Sequence, residues 1–271
     1  MPELPEVEVI RSGLAPLLSG CEVSGVLCFR ESLRYPLPDL LCLKGRQFRN
    51  VARRAKYLLF EFDDEMTLVW HLGMTGQFHV LDANEPRQKH EHVRIDLNDG
   101  RKLVYRDVRR FGYAALIPSD ELLLHPWFRS LGPEPLSDDF NVQYLRDCCR
   151  GRKGPIKSLL MDNGVVVGVG NIYAAESLFR AGIHPARAAG RISEMRLGRL
   201  VNCVRKVLTE AIAAGGSSIS DFVHADGKPG YFSHNFQVYG REGNPCPLCA
   251  VPIKRMVQAG RSSFYCSGCQ H

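Results

Sequence analysis

The chain begins Met1-Pro2-Glu3-Leu4-Pro5-Glu6, so an imino acid stands directly behind the initiator with two carboxylates close by. Removal of an initiator is favoured before a small residue, and the mature chain is therefore expected to start at Pro2. Its free end would be a secondary amine, which is a nucleophile. The α-amino class has a reference pKa of about 8, which leaves a neutral, reactive fraction near neutral pH. Taken alone, the same residues also describe a frayed terminus carrying solvated acids.

A second chemistry sits at the other end. Cys246-Pro-Leu-Cys249 is followed, after sixteen intervening residues, by Cys266-Ser-Gly-Cys269. Two Cys-x-x-Cys knuckles at this separation match a tetrahedral zinc site with four thiolates. With all four places filled by protein, one zinc ion would be structural, and the short module could not build a core without it. Two disulfides are the other reading, disfavoured where the compartment is reducing. The remaining six of the ten cysteines are scattered through apolar or helical stretches and read as free, buried thiols.

A third group of residues suits an anionic partner. Gly168-Val-Gly170-Asn171-Ile-Tyr173 is a glycine-rich turn opening a helix, which presents backbone N–H groups to a phosphate, although a plain tight turn would look the same. Lys153 and Lys157 lie just upstream. Further basic runs cover 46–56, 106–110 and 146–157, interleaved with Phe111 and with His71-Leu-Gly-Met74. Cations would hold phosphates and an apolar side chain would enter a base stack, or the charges are a solvated face and the apolar residues core. Arg261, beside a hairpin bend predicted at Ala259-Gly260, reads either as part of a nucleic-acid arm or as a solvated residue. The net charge of +6 permits such a partner without requiring one.

These groups need a frame. Val7, Ile10, Leu14, Leu17 and Leu18 recur at helical spacing, which predicts a helix over 5–18 with Pro5 in its first turn. From Cys21 to about Pro118 short β-like runs follow, such as Tyr57–Phe62, Thr67–Trp70 and Val93–Leu97, separated by acidic or Asn-Asp-Gly turns. They predict a β-sandwich or barrel. A Pro-, Gly- and acid-rich stretch ends at 139. Helices are predicted over 142–150, 156–162, 173–180 and 193–214, with two ribbon strands over 253–258 and 262–265. The expected division is 1–131, a linker over 132–139, a helical domain over 140–235 and a finger over 236–271. No apolar run reaches the roughly 18 residues of a membrane span, and the acidic start is unlike a secretory signal, so a cytoplasmic protein is expected.

Together these residues resemble the formamidopyrimidine-DNA glycosylase family. The landmarks are Pro-Glu-Leu-Pro-Glu-Val-Glu at 2–8, Arg-Arg-Ala-Lys-Tyr-Leu at 53–58 and His-Leu-Gly-Met-Thr-Gly at 71–76. Lys-His-Glu-His at 89–92, Asp-Val-Arg-Arg-Phe-Gly at 107–112 and Leu-Gly-Pro-Glu-Pro-Leu at 131–136 follow. Val-Gly-Asn-Ile-Tyr at 169–173, Asp-Gly-Lys-Pro-Gly-Tyr-Phe at 226–232, Gln-Val-Tyr-Gly-Arg at 237–241 and the four cysteines complete the set.

The resemblance implies a two-domain α+β fold: an N-terminal β-sandwich with flanking helices, then a helical domain with a helix–two-turn–helix element and a zinc ribbon. It implies a monomeric enzyme acting on double-stranded DNA that carries oxidised purines or abasic sites, with the damaged nucleotide flipped out of a duplex lying between the domains. In that scheme Pro2 attacks C1′, Glu3 serves as acid and base at the sugar, Glu6 supports it, and Lys56 lies in the catalytic cleft. Met74, Arg109 and Phe111 would fill the vacated space, Arg109 reading the orphaned cytosine. Lys157, Asn171 and Arg261 would grip phosphates, with His71, His90 and His92 on the same face, and 217–231 would cover the extruded base. Val9-Ile10 and Ser220 depart from the family pattern, the latter putting one lesion contact in doubt. Two rival readings remain: the sister endonuclease VIII group, which prefers oxidised pyrimidines and begins Pro-Glu-Gly-Pro, and a non-catalytic zinc-ribbon DNA-binding protein.

Overall fold

The computed structural model describes residues 2–217 and 232–271. The described residues fall into two compact units, one of residues up to 129 together with 215–217, the other of 130–214 and 232–271. Residues 218–231, which include Ser220 and nearly all of the expected covering loop, lie outside the described residues.

In the first unit, helix α1 (Leu4–Leu18) starts with Pro5 in its opening turn, where a missing N–H costs nothing. Leu4, Val7, Ile10, Leu14 and Leu18 form one buried stripe. Each such side chain withdrawn from water contributes about 1.5–3 kcal/mol before entropy is counted. The stripe packs on two four-stranded antiparallel sheets. One has the order β1 (Val23–Cys28), β6 (Glu91–Leu97), β7 (Arg101–Asp107), β5 (Gly76–Asp82). The other runs β2 (Phe48–Arg54), β3 (Tyr57–Phe62), β4 (Met66–His71), β8 (Tyr113–Pro118). Alternate residues of both sheets, among them Phe60, Trp70, Phe78, Ile95 and Tyr105, meet α1 in a single core. The result is a sandwich rather than a barrel.

The second unit is helical. Helices α2 (Val142–Cys149), α3 (Ile156–Leu160), α4 (Asn171–Ala181) and α5 (Glu194–Ala213) enclose a core of Leu145, Leu160, Tyr173, Leu178, Leu200 and Val204, among others. Asn141 caps α2 by accepting the Tyr144 N–H, and Gly182, in the left-handed region, closes α4. Strands β9 (Lys254–Gln258) and β10 (Arg261–Tyr265) form the ribbon, paired so that Arg261 faces Gln258. The two residues between them, Ala259 and Gly260, both have positive φ, as a tight two-residue hairpin requires.

The six cysteines outside the finger are free, but not all are buried. Cys28 ends the edge strand β1 on its outward side, and Cys42 lies in a short turn whose inward residue is Leu43, so both are exposed. Among the described residues no helix is long and apolar enough to cross a membrane.

Candidate active site and nucleic-acid interface

Pro2 and Glu3 are buried at the entrance of α1. One carboxylate organises this entrance. Glu6 Oε2 accepts the Glu3 N–H at 2.8 Å, while Glu6 Oε1 accepts both the N–H (2.9 Å) and the hydroxyl (2.8 Å) of Ser217. Gly216 has φ +78°, and a Cβ there would come within 3.4 Å of the Glu6 carboxylate. Glu6 therefore ties the residue beside Pro2 to the first residue of the 217–231 segment.

Lys56 sits buried in the two-residue turn between β2 and β3, where Ala55 takes a positive φ of 53°. Arg53 props that turn. Its guanidinium donates to the Ala55 carbonyl at 2.9 Å and pairs with Glu8 of α1 at 2.8 Å. Burial raises the Glu8 carboxyl, but Arg11 and Arg53 outweigh it and hold Glu8 below its ordinary value. The pair fixes the lysine-bearing turn against the helix whose first residues are Pro2 and Glu3.

His71 lies at the end of β4. Its ring stacks on Tyr113 at 4.7 Å, and its Nδ1 accepts the Gly73 N–H at 3.0 Å. Burial, then the charges of Lys56 and Arg34, push its pKa down to about 4, so the ring is neutral at physiological pH. His92 is also buried and bonds the Asp107 carbonyl through Nε2 at 2.8 Å. His90 takes a positive φ of 66° and its carbonyl accepts the Asp107 N–H. All three histidines thus support the backbone of neighbouring turns.

Those turns carry Met74 and Arg109-Arg110-Phe111. Met74 is 39% and Phe111 41% exposed, so each turn presents one large apolar side chain to solvent. The Arg109 guanidinium lies over the Phe111 ring, 4.7 Å from its centre, an arrangement worth about 0.5–1 kcal/mol at exposed sites. Gly73 has φ +66°, and a Cβ on it would fall 2.3 Å from the Phe111 carbonyl carbon, so the two turns touch through backbone.

In the second unit Lys157 is 2% exposed. Its ammonium donates to Asn171 Oδ1 (2.6 Å), Ser263 Oγ (2.7 Å) and the Ser262 carbonyl (3.1 Å). An ammonium has three N–H groups, and these acceptors match them. Asn171 opens α4 and its amide donates to the same Ser262 carbonyl at 3.1 Å. Lys157, Asn171 and the ribbon are one locked assembly, from which Arg261 projects into solvent. An open cavity bordered by Lys157, Ser158, Asp162 and Arg261 lies beside it.

The ligand atoms of Cys246, Cys249, Cys266 and Cys269 lie within 4.8 Å of one another. The Cys249–Cys266 and Cys246–Cys269 sulfur pairs are 3.4 and 3.9 Å apart, too long for the ~2.05 Å of a disulfide and close to the ~3.8 Å edge of a tetrahedron with ~2.3 Å zinc–sulfur bonds. The site fits one structural zinc. Its small core of Val238, Ile253, Cys246 and Cys266 rests on Ala175 and Phe179 of α4. Buried Glu176 of α4 accepts the N–H groups of Gln237, Val238 and Tyr239 at 2.8–3.0 Å, fastening the ribbon's root. Sequence reasoning missed Glu176, Asp107 and the Glu8–Arg53 pair. Asp107 and Glu8 lie inside the family motifs, but nothing local distinguishes an acid with a partner distant in sequence from one that is solvated.

Comparison with known proteins agrees along the whole chain. A family model described as the formamidopyrimidine-DNA glycosylase N-terminal domain matches residues 1–114, and one for the H2TH domain of the same enzyme matches 131–223. A third, a zinc finger found in FPG and IleRS, matches 243–271. Formamidopyrimidine-DNA glycosylases of Phenylobacterium zucineum (strain HLK1) and Stenotrophomonas maltophilia (strain K279a) are each 49% identical, with both chains covered in full. A crystal structure of a mutant Lactococcus lactis FPG with DNA containing Fapy-dG superposes with a TM-score of 0.93 at 33% identity, covering 100% of both chains. The Lactococcus lactis Fpg complex with DNA containing an abasic site gives 0.91 at 34%, covering 99% of both.

Proposed function

The chain belongs to the formamidopyrimidine-DNA glycosylase family, and from that premise we propose how its own residues do the work. It is a base-excision-repair enzyme that removes oxidised purines from DNA and cleaves the strand at the resulting abasic site. The observation that carries the residue assignment is the buried entrance of α1, where Pro2 adjoins Glu3 and Glu6 holds the Glu3 N–H.

With Met1 removed, the Pro2 nitrogen attacks C1′ of the flipped nucleotide, the glycosidic bond breaks and the base leaves. Glu3 delivers a proton to the sugar ring oxygen, the ring opens and an iminium forms between Pro2 and C1′. A secondary amine gives an iminium that cannot lose its charge by deprotonation at nitrogen. It therefore remains an electron sink while sugar protons are withdrawn in β- and then δ-elimination. Lys56 would contact a flanking phosphate and favour the neutral form of the Pro2 amine by charge repulsion.

Met74, Arg109 and Phe111 would enter the duplex at the vacated base, with Arg109 presenting its planar donors to the orphaned cytosine. Arg261 and Asn171 would hold phosphates; Lys157 would act through them. His71, His90 and His92 would shape the turns that meet the DNA. Catalysis on 1–131, grip on 140–235 and the finger on 236–271, joined by 132–139, is the matching division of labour. Action in the cytoplasm on nucleoid DNA fits the same reading.

Borohydride trapping on a duplex with 8-oxoguanine opposite cytosine tests this. Processed wild-type protein is expected to form a covalent adduct, a preparation retaining Met1 is not, and Pro2→Gly, whose primary amine gives an imine that can lose its charge, should form less. No adduct with the processed protein would sink the scheme. A duplex with thymine glycol, run in parallel, should be the slower substrate.

A further inference from the structure

The turn bearing Met74 and the turn bearing Arg109 and Phe111 converge on one carboxylate. Asp107, the last residue of β7, has no exposed surface. Its Oδ1 accepts the Thr75 hydroxyl at 2.5 Å and the Arg109 N–H at 3.2 Å. Its Oδ2 accepts the Gly112 N–H at 2.8 Å and the Tyr105 hydroxyl at 3.2 Å. Thr75 Oγ1 in turn accepts the Arg109 N–H at 3.0 Å. The backbone of Asp107 is held as firmly, its N–H by the His90 carbonyl and its carbonyl by His92.

The packing around this group leaves no slack. A Cβ at Gly112 would fall 1.8 Å from the Tyr105 hydroxyl oxygen, and one at Gly76 would fall 2.3 Å from the same atom. Four donors point into one carboxylate. An asparagine cannot replace it, because whichever way its amide turns, its NH2 faces a backbone N–H, either that of Arg109 or that of Gly112.

Resting on the reading of the protein as an oxidised-purine glycosylase, we propose that Asp107 is the positioning residue of the base-reading turns. Its carboxylate sets the spacing between Met74 on one side and Arg109 and Phe111 on the other. The wedge and the cytosine-reading guanidinium then enter the duplex as one rigid piece, and the carboxylate acts on the choice of opposite base without touching DNA. Preorganisation of this kind appears as discrimination because a loose guanidinium can adjust to a wrong base while a fixed one cannot.

The test uses the full chain with Asp107→Asn, Thr75→Val, Thr75→Ser and the double variant Asp107→Asn/Thr75→Val. Hydrogen exchange of the Arg109 and Gly112 amides is measured without DNA. Single-turnover excision is measured with 8-oxoguanine opposite cytosine and opposite adenine. Asp107→Asn and Thr75→Val are expected to speed Arg109 exchange at least ~10-fold and to lower the cytosine-over-adenine rate ratio at least ~5-fold. Thr75→Ser restores both, and the double variant is no worse than Asp107→Asn. Unchanged exchange, or a rate ratio within ~2-fold of wild type in Asp107→Asn, overturns the inference. Should Asp107→Asn fail to fold, Thr75→Val decides by the same limits. If instead Arg109→Ala leaves the ratio unchanged, the assignment of Arg109 to the opposite base is what fails, and the exchange measurement still judges Asp107 by itself.

Discussion

Glu6 and Ser217 are 211 positions apart, yet a single oxygen of the Glu6 carboxylate accepts both the N–H and the hydroxyl of Ser217. The other oxygen holds the N–H of Glu3. The start of the segment assigned to cover the extruded base is therefore bonded to the same group that sets the start of α1.

Glu6→Gln separates these connections. An amide has only one acceptor oxygen, so a donor at either Glu3 or Ser217 loses its partner, at about 1–3 kcal/mol when buried. Excision of 8-oxoguanine is expected to fall ~10-fold or more, whereas cleavage at a preformed abasic site, which has no base to cover, falls less. Single-turnover rates on the two duplexes check this. Equal losses on both would refute a role specific to the base.

Lys157 and Arg261 should differ in the salt dependence of DNA binding. Arg261 is exposed, whereas the Lys157 ammonium already faces three protein acceptors. Arg261→Ala should reduce the slope of log affinity against log salt by about 1. Lys157→Met should leave that slope unchanged, lower affinity uniformly and cost about 1–3 kcal/mol of stability through its stranded acceptors. Fluorescence-anisotropy titrations over a salt series distinguish the two. A reduced slope for Lys157→Met would place its charge on a phosphate after all.

Zinc removal should act locally. Chelation, or Cys249→Ser, is expected to release one zinc per chain and abolish lesion binding while much of the helical signal persists. The buried residues of the ribbon's apolar cluster are distinct from those of the larger cluster that holds α2 to α5, with Tyr239 packed against both. Colorimetric zinc release followed alongside circular dichroism tests it. A wholesale loss of helix on mild chelation would show that the two clusters fold as one.

Acid should destabilise the first unit in a defined window. His71 and His79 are both pushed down to about 4, in each case chiefly by burial. An unfolded histidine protonates near pH 6.5. Between there and about pH 4 the unfolded chain binds more protons, so stability falls as pH falls and is fully present above 6.5. The slope is at most about 1.4 kcal/mol per pH unit for each histidine. His79→Gln should reduce the difference between urea unfolding at about pH 7.5 and about pH 5, with His71 and the other buried histidines supplying the rest. An unaltered difference would exclude His79 as a contributor.

Much of this was legible in the sequence because the signals were local. The apolar spacing of α1 and the two Cys-x-x-Cys knuckles each lie within one element, and the structure places them as read. Strand β2 was obscured because Arg49, Arg53 and Arg54 break the alternation expected of a strand with charge. Its buried positions are only Phe48 and Val51, and Arg53 is partly covered through its pair with Glu8. His71 and His92 were expected on the face that grips phosphates. Burial pushes the pKa of both rings down, and their contacts with Gly73, Tyr113 and Asp107 are ones that no spacing rule joins to them. Carboxylates that bind backbone across the fold, such as Asp107 and Glu176, are invisible to periodicity for the same reason.

Helix α4 divides its buried surface between two neighbours. Tyr173, Ala174 and Leu178 enter the helical core, while Ala175, Phe179 and the Glu176 carboxylate receive the ribbon. Vectorial synthesis makes this an order of events. The ribosome releases α4 long before Cys266 and Cys269, so the helical core can close around one side of α4 while its other side is still bare. Metal loading then follows closure of the helical core. In a cell short of zinc the nascent enzyme would stall with Phe179 uncovered, a form that chaperones hold and proteases clear.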